Sequence, residues 1–136
     1  MDWKTKTDPA HHPVRFLASV WSQRMKERFG IQTDFRSKEF GQLKCLMTHL
    51  GDLTPDVIEW MIDSTNWWFF CQQVRAELKV HFVREYPDVG FLLLYRGVAL
   101  RLMHTKLQNS PEHADFIGRL EKRWNESEKK LSLAYA

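Results

Sequence analysis

Apolar residues recur along this chain at spacings of three and four, and almost nowhere do they alternate. Val14, Leu17, Trp21, Met25 and Phe29 form the first such series, behind Pro13 and ahead of Gly30. Proline suits the first turn of a helix, where its missing N–H would have had no partner. Glycine suits the residue just past the last turn. The spacing predicts a helix over 13–29, with Arg15, Arg24, Lys26 and Arg28 on its outer faces. Phe40, Leu43, Leu46, Met47 and Leu50 give a second helix, entered through Ser37 as N-cap, with Glu39 in its first turn and Gly51 at its end. Thr54 as cap and Pro55 at the first position open a third, whose apolar side is Val57, Ile58, Trp60 and Met61.

Asp63-Ser64-Thr65-Asn66 then interrupts the pattern. Such side chains bond to their own backbone, so the helix is expected to stop or kink there and to restart at Trp67. Phe70, Val74 and Leu78 carry the new register. Val80 to Asp88 alternates weakly and contains Pro87, which predicts a loop or a short extended segment. From Asp88 to Gln108 the chain is apolar nearly all round, the pattern of a helix at the centre of a bundle. Ser110-Pro111-Glu112 opens a last helix with a narrow stripe of Ile117, Leu120, Trp124 and Leu131. The expected fold is all-α: a compact single-domain bundle of five or six helices over 13–136. A flexible arm is expected over 1–12, where Pro9 and Pro13 argue against a long helix and Lys4 and Lys6 make the segment basic.

Composition narrows the class. The chain has 136 residues, enough for one domain with its own core. Two cysteines make no disulfide framework, no secretory leader opens the chain, and no apolar run approaches the roughly 18 residues of a membrane span. A reducing bacterial cytoplasm is expected. The net charge of +3 is unevenly spread: Ile31–Thr65 holds six acidic and three basic residues, and Asn66–Asn109 holds six basic and three acidic.

That distribution decides among the candidate chemistries. Residues 37–63 read as helix, turn, helix, and Leu46, Leu50, Val57 and Trp60 sit where a DNA-reading unit buries its side chains. The second helix would enter the groove, yet it carries Asp56, Glu59 and Asp63 and no Lys or Arg. A duplex bears one negative charge per roughly 1.7 Å of axis and would repel it. The acids, edged by Trp67 and Trp68, instead suggest a protein-binding face, because aromatic anchors within a charged rim are the anatomy of such surfaces. Nucleic acid would be met by Arg75, Lys79, Arg84, Arg96 and Arg101, with Trp67, Trp68 or Phe69 stacking on bases. Cys45 and His49 lie four apart, and His11-His12 is a bare dipeptide. Neither supplies the four ligands of a structural zinc site, and a small buried cysteine is the simpler expectation. No Gly-rich phosphate loop or nucleophile elbow occurs, so neither catalysis nor a cofactor is expected.

Phe35, Lys38 and Glu39, the run Gly41-Gln42-Leu43, Gly51, Val57-Ile58-Glu59-Trp60 and Asn66-Trp67 together resemble helical segments of phage and plasmid replication-accessory proteins, of the replisome-organiser or helicase-loader type. The resemblance covers the middle third. It implies a non-enzymatic accessory protein of DNA metabolism, encoded by a phage or mobile element, that binds nucleic acid, a replication protein or both. With no ATPase motif, ATP-driven loading is not implied. Phage origin also admits a second class, small inhibitors of host defence such as anti-CRISPR proteins. There the acidic face would occupy a basic nucleic-acid channel of a host protein complex. The sequence leaves the oligomeric state open.

Overall fold

The computed structural model describes residues 13–135, with side chains as far as Lys129. The expected arm over 1–12, with His11-His12, lies outside the described residues. Among the described residues seven α-helices run in order: α1 Pro13–Phe29, α2 Ser37–Leu50, α3 Thr54–Met61, α4 Ser64–Leu78, α5 Val89–Leu94, α6 Arg96–Leu107 and α7 Ala114–Tyr135. Single 3₁₀ turns at Gly51–Leu53 and Pro111–His113 lead into α3 and α7. No strand occurs among the described residues, and the fold is all-α.

The single helix expected over 88–108 is two. The backbone at Tyr95 leaves helical geometry, at φ −111° and ψ 31°. Leu93 O, at the break, accepts instead from Arg96 Nη1 at 2.9 Å. The pair is also less buried than its composition suggested. Leu94 is 67 % exposed, and Arg101 and Thr105 face solvent.

Three helix starts differ from expectation, each for a local reason. Ser37 is the first residue of α2 rather than its cap, and Arg36 precedes it without a side-chain capping bond. Thr54 lies inside a continuous 3₁₀-to-α passage, where its Oγ1 donates to Gly51 O at 2.7 Å. Thr54 is fully buried, and this bond satisfies its hydroxyl. Asp63 is the N-cap of α4: Oδ1 accepts from the N–H groups of Thr65 and Asn66, both at 3.0 Å. Those bonds let α4 begin at Ser64, three residues before Trp67.

The core runs through all the helices described. Leu17, Trp21 and Met25 of α1 meet Leu43, Leu46 and Leu50 of α2, with Leu53, Val57, Ile58, Met61 and Ile62 alongside. α2 packs chiefly on α5 and α1, α4 on α6, and α6 on α7. Trp67, Phe70 and Phe91 form a triangle of rings with centroids 5.1 to 5.8 Å apart, and Tyr95 extends it at 4.8 Å from Phe91. Trp67 Nε1 donates to Arg84 O at 2.9 Å, tying the loop after α4 to the core. Leu78 is in register with Phe70 and Val74 but is 51 % exposed, because α4 has by then run past its cover.

The capping assignments are tested by a pair of substitutions. Asp63→Ala should lower the unfolding free energy in urea by about 1 kcal/mol, the ordinary worth of an N-cap. Ser37→Ala should stay within about 0.5 kcal/mol, since no capping bond is lost.

Candidate nucleic-acid interface

The three carboxylates of the expected protein-binding face do come together. Asp56, Glu59 and Asp63 line one cleft of about 340 Å³, with Arg28, Trp60, Asn66, Met103, His113 and Phe116. Each is already engaged from within the fold. Asp56 accepts from Arg119 Nη2 at 3.0 Å, and Arg119 also bonds Asp115 at 2.9 Å and Asp52 O at 3.1 Å. Glu59 accepts from Arg24 Nε at 2.7 Å and from Arg28 Nη2 at 2.9 Å. Arg28 Nη1 reaches Glu59 O at 2.8 Å and Ile62 O at 2.7 Å, satisfying carbonyls at the end of α3. Asp63 is the α4 cap. The hydrogen bond and charge of Glu59 hold the Arg24 guanidinium above its usual pKa. Burial works against the Arg119 cation, yet its bonds to Asp56 and Asp115 raise its pKa overall. Asp56 and Glu59 are thus paired with arginines from α7 and α1, and Asp63 is held by the α4 backbone.

Trp67 is likewise not the partner-facing ring that its sequence position suggested. It is 2 % exposed, and its indole N–H is engaged by Arg84 O. Trp68 is the opposite case, 57 % exposed. Successive residues of a helix are turned by about 100°, so burying one of two adjacent tryptophans sends the other toward the flank.

Trp68, Gln72, Arg75 and Lys79 fall at i, i+4, i+7 and i+11 and form one stripe on the outer side of α4. No carboxylate lies in that stripe. Among the described residues, the Arg75 and Lys79 side chains have no hydrogen-bond or ion-pair partner. Lys79 closes α4 in the left-handed region, φ 53°, the sole non-glycine with positive φ among the described residues. Its N–H bonds Arg75 O at 3.0 Å. A non-glycine residue there costs about 1 kcal/mol, where glycine would have cost nothing.

Two cations of α6 reach other sides of α4. Arg101 of α6 reaches Glu77 of α4 at 2.8 Å. Hydrogen bonds from Gln73 and then Arg101 hold the Glu77 carboxyl below its ordinary range. Lys106 Nζ sits 4.1 Å from the centre of the Phe69 ring, a cation–π contact, and Phe69 stands edge-on to Trp68 at 5.3 Å. Lys106 was missed in the sequence, because nothing in its neighbourhood signals that α6 lies beside Phe69. Two expected cations stand elsewhere. The Arg96 side chain turns back to Leu93 O. The Arg84 side chain lines a separate pocket with Lys38, Glu39 and Gln42. Arg75 and Lys79 therefore stand on the outer side of α4, while Lys106 lies beside Phe69 and Arg101 is paired with Glu77 on the far side of the helix.

Among the described residues no group of three or more His, Cys, Asp or Glu is placed to hold a metal ion, and no helix is long and apolar enough to cross a membrane. Cys45 is exposed, contrary to the expectation of a buried thiol, while Cys71 is buried on the inner side of α4. Comparison of the chain with known protein families, with curated proteins and with solved structures returns no match.

The two cysteines report on which side of α4 faces inward. Burial pushes the Cys71 thiol up to about 11. A thiol-specific reagent at pH 8 should therefore titrate Cys45 alone in the native protein and both thiols in denaturant. Rapid native reaction at Cys71 would show α4 rotated from the position described.

Proposed function

We propose that this chain is a non-enzymatic nucleic-acid-binding protein that uses the outer face of α4 and the adjoining edge of α6. Its role would be that of an accessory factor of DNA metabolism, encoded by a phage or mobile element. One observation carries the proposal: a half-exposed tryptophan, Trp68, shares a helix stripe with two cations, Arg75 and Lys79, that have no partner among the described residues. Cations without internal partners can neutralise phosphates, and an exposed indole can stack on a base at a worth of about 1–3 kcal/mol. Lys106, over the Phe69 ring that adjoins Trp68, adds a cation beside the stripe. The resemblance of residues 35–67 to replication-accessory segments supports the cellular role, and the α4 face supports the binding.

The alternative, an anti-CRISPR-type inhibitor acting through Asp56, Glu59 and Asp63, is less well supported. A carboxylate must be free to compete for a partner's cations, and these three are held by Arg119, by Arg24 and Arg28, and by the α4 backbone. A surface ion pair contributes only about 0–1 kcal/mol, so the pairing chiefly occupies the Asp56 and Glu59 carboxylates.

Fluorescence anisotropy with a labelled single-stranded DNA 12-mer tests the proposal. Affinity should fall as salt rises, with a log–log slope of roughly −1.5 to −3 for two to four phosphate contacts on a single strand. Arg75→Glu with Lys79→Glu should abolish binding, and Trp68→Ala should weaken it about tenfold, with unchanged helix content. No binding at low salt, or binding indifferent to the double charge reversal, would overturn it. Lys79→Gly should separate stability from function. It should raise the melting temperature by about 2–4 °C through relief of the left-handed backbone, yet weaken oligonucleotide binding.

A further inference from the structure

A second site lies away from α4, where the first turn of α2 meets the loop after α4 and the start of α5. It is a pocket of about 270 Å³ lined by Lys38, Glu39, Gln42, Arg84, Asp88, Gly90, Phe91 and Leu94. Glu39 stands third in α2, where a glutamate ordinarily reaches back to the backbone N–H of the N-cap. Here it does not. Glu39 Oε2 is buried without a hydrogen-bond partner, and it alone among the described side-chain polar atoms is in that state. A buried carboxylate oxygen left unpaired is costly, and Glu39, which lines the pocket, has no donor for it within the fold.

The surroundings indicate what kind of donor. Asp88 bonds Phe91 N–H through Oδ2 at 2.8 Å, while Oδ1 has no partner among the described residues. Lys38 and Arg84 bring two positive charges to the same pocket, and no ion pair joins them to Glu39 or Asp88. Two cations and two carboxylates thus line one small space with no direct ion pair between them. Phe91 and the largely exposed Leu94 supply an apolar wall. Gly90 forms part of the lining: a Cβ there would stand 2.6 Å from Gln42 Nε2, so the absent side chain lets the Gln42 amide lie across it.

We propose that this pocket binds a free α-amino acid with an apolar side chain. The ammonium group meets the Glu39 carboxylate and Asp88 Oδ1, the carboxylate accepts from Arg84 and Lys38, and the side chain packs on Phe91 and Leu94. The volume is below the roughly 300–1,000 Å³ of pockets for drug-sized ligands, which suits a molecule of this size. Charge-assisted bonds at both ends, with no cost of breaking an internal ion pair, give the site its preference for a zwitterion. The site is independent of the nucleic-acid face.

Isothermal titration of the full chain with L-leucine tests this, beside two analogues of the same skeleton, isoamylamine without the carboxylate and 4-methylpentanoate without the ammonium. L-Leucine should bind saturably with a submillimolar dissociation constant, and each analogue at least about tenfold more weakly. Glu39→Gln should weaken L-leucine at least about tenfold by removing the charge that meets the ammonium. Gly90→Ala should do the same by forcing the Gln42 amide to move. Both variants should keep the helix content and the single-stranded DNA affinity of the unaltered chain, so that failure here is distinguishable from failure of the α4 face. No saturable heat with L-leucine up to about 10 mM would overturn the proposal, as would equal affinity for either analogue or for Glu39→Gln.

Discussion

The placement of Trp67 is the constraint on which the rest of the arrangement depends. Its indole is nearly closed to solvent, it meets Phe70 and Phe91 in a ring triangle, and its N–H is satisfied by the carbonyl of Arg84. A buried indole without that acceptor would carry an unpaired donor into the core, so ring and loop are fixed together. The consequence reaches outward. With Trp67 held inward, Trp68 is turned to the flank of α4, and Gln72, Arg75 and Lys79 follow on the same stripe. The same carbonyl contact holds the 79–88 loop against the core, and that loop carries Arg84 and Asp88 to the pocket at the start of α5.

Ion pairing then distinguishes carboxylates held within the fold from cations that are not. Around α3, Arg24, Arg28 and Arg119 meet Glu59, Asp56 and Asp115, and Arg28 also closes the carbonyls of Glu59 and Ile62. Partly exposed pairs of this kind add little stability one by one. Their effect is geometric: they bind α1 and α7 to the α3–α4 corner, where the chain turns within two residues. On the outer side of α4 the cations lack such partners. That difference, rather than the total charge of +3, distinguishes the face able to meet an anionic polymer.

Much of this was legible in the sequence, and the misses have identifiable causes. The helices followed from apolar spacing and from Pro13, Gly30, Gly51 and Pro55, because those residues act locally. Asp63 was read as one of three surface acids, yet an aspartate ahead of Ser-Thr-Asn is also an N-cap, and the local role prevailed. The burial of Trp67 could have been found: it stands three and seven residues before Phe70 and Val74, in the buried register, whereas Trp68 does not. The pairing of Asp56 with Arg119 and of Glu59 with Arg24 and Arg28 could not, since the partners lie 31 to 63 residues apart. Lys106 over Phe69 and the unpaired oxygen of Glu39 are also products of the tertiary fold.

The opposed settings of the two adjacent tryptophans can be observed residue by residue. Two-dimensional ¹H–¹⁵N spectra resolve indole N–H signals, and Trp68→Phe and Trp67→Phe assign these two by loss of a peak. On titration with single-stranded DNA, the Trp68 signal should move progressively, while that of Trp67 stays in place and resists exchange with deuterated solvent. A Trp68 signal unmoved at saturating DNA, or a Trp67 signal that shifts and exchanges freely, would contradict the account.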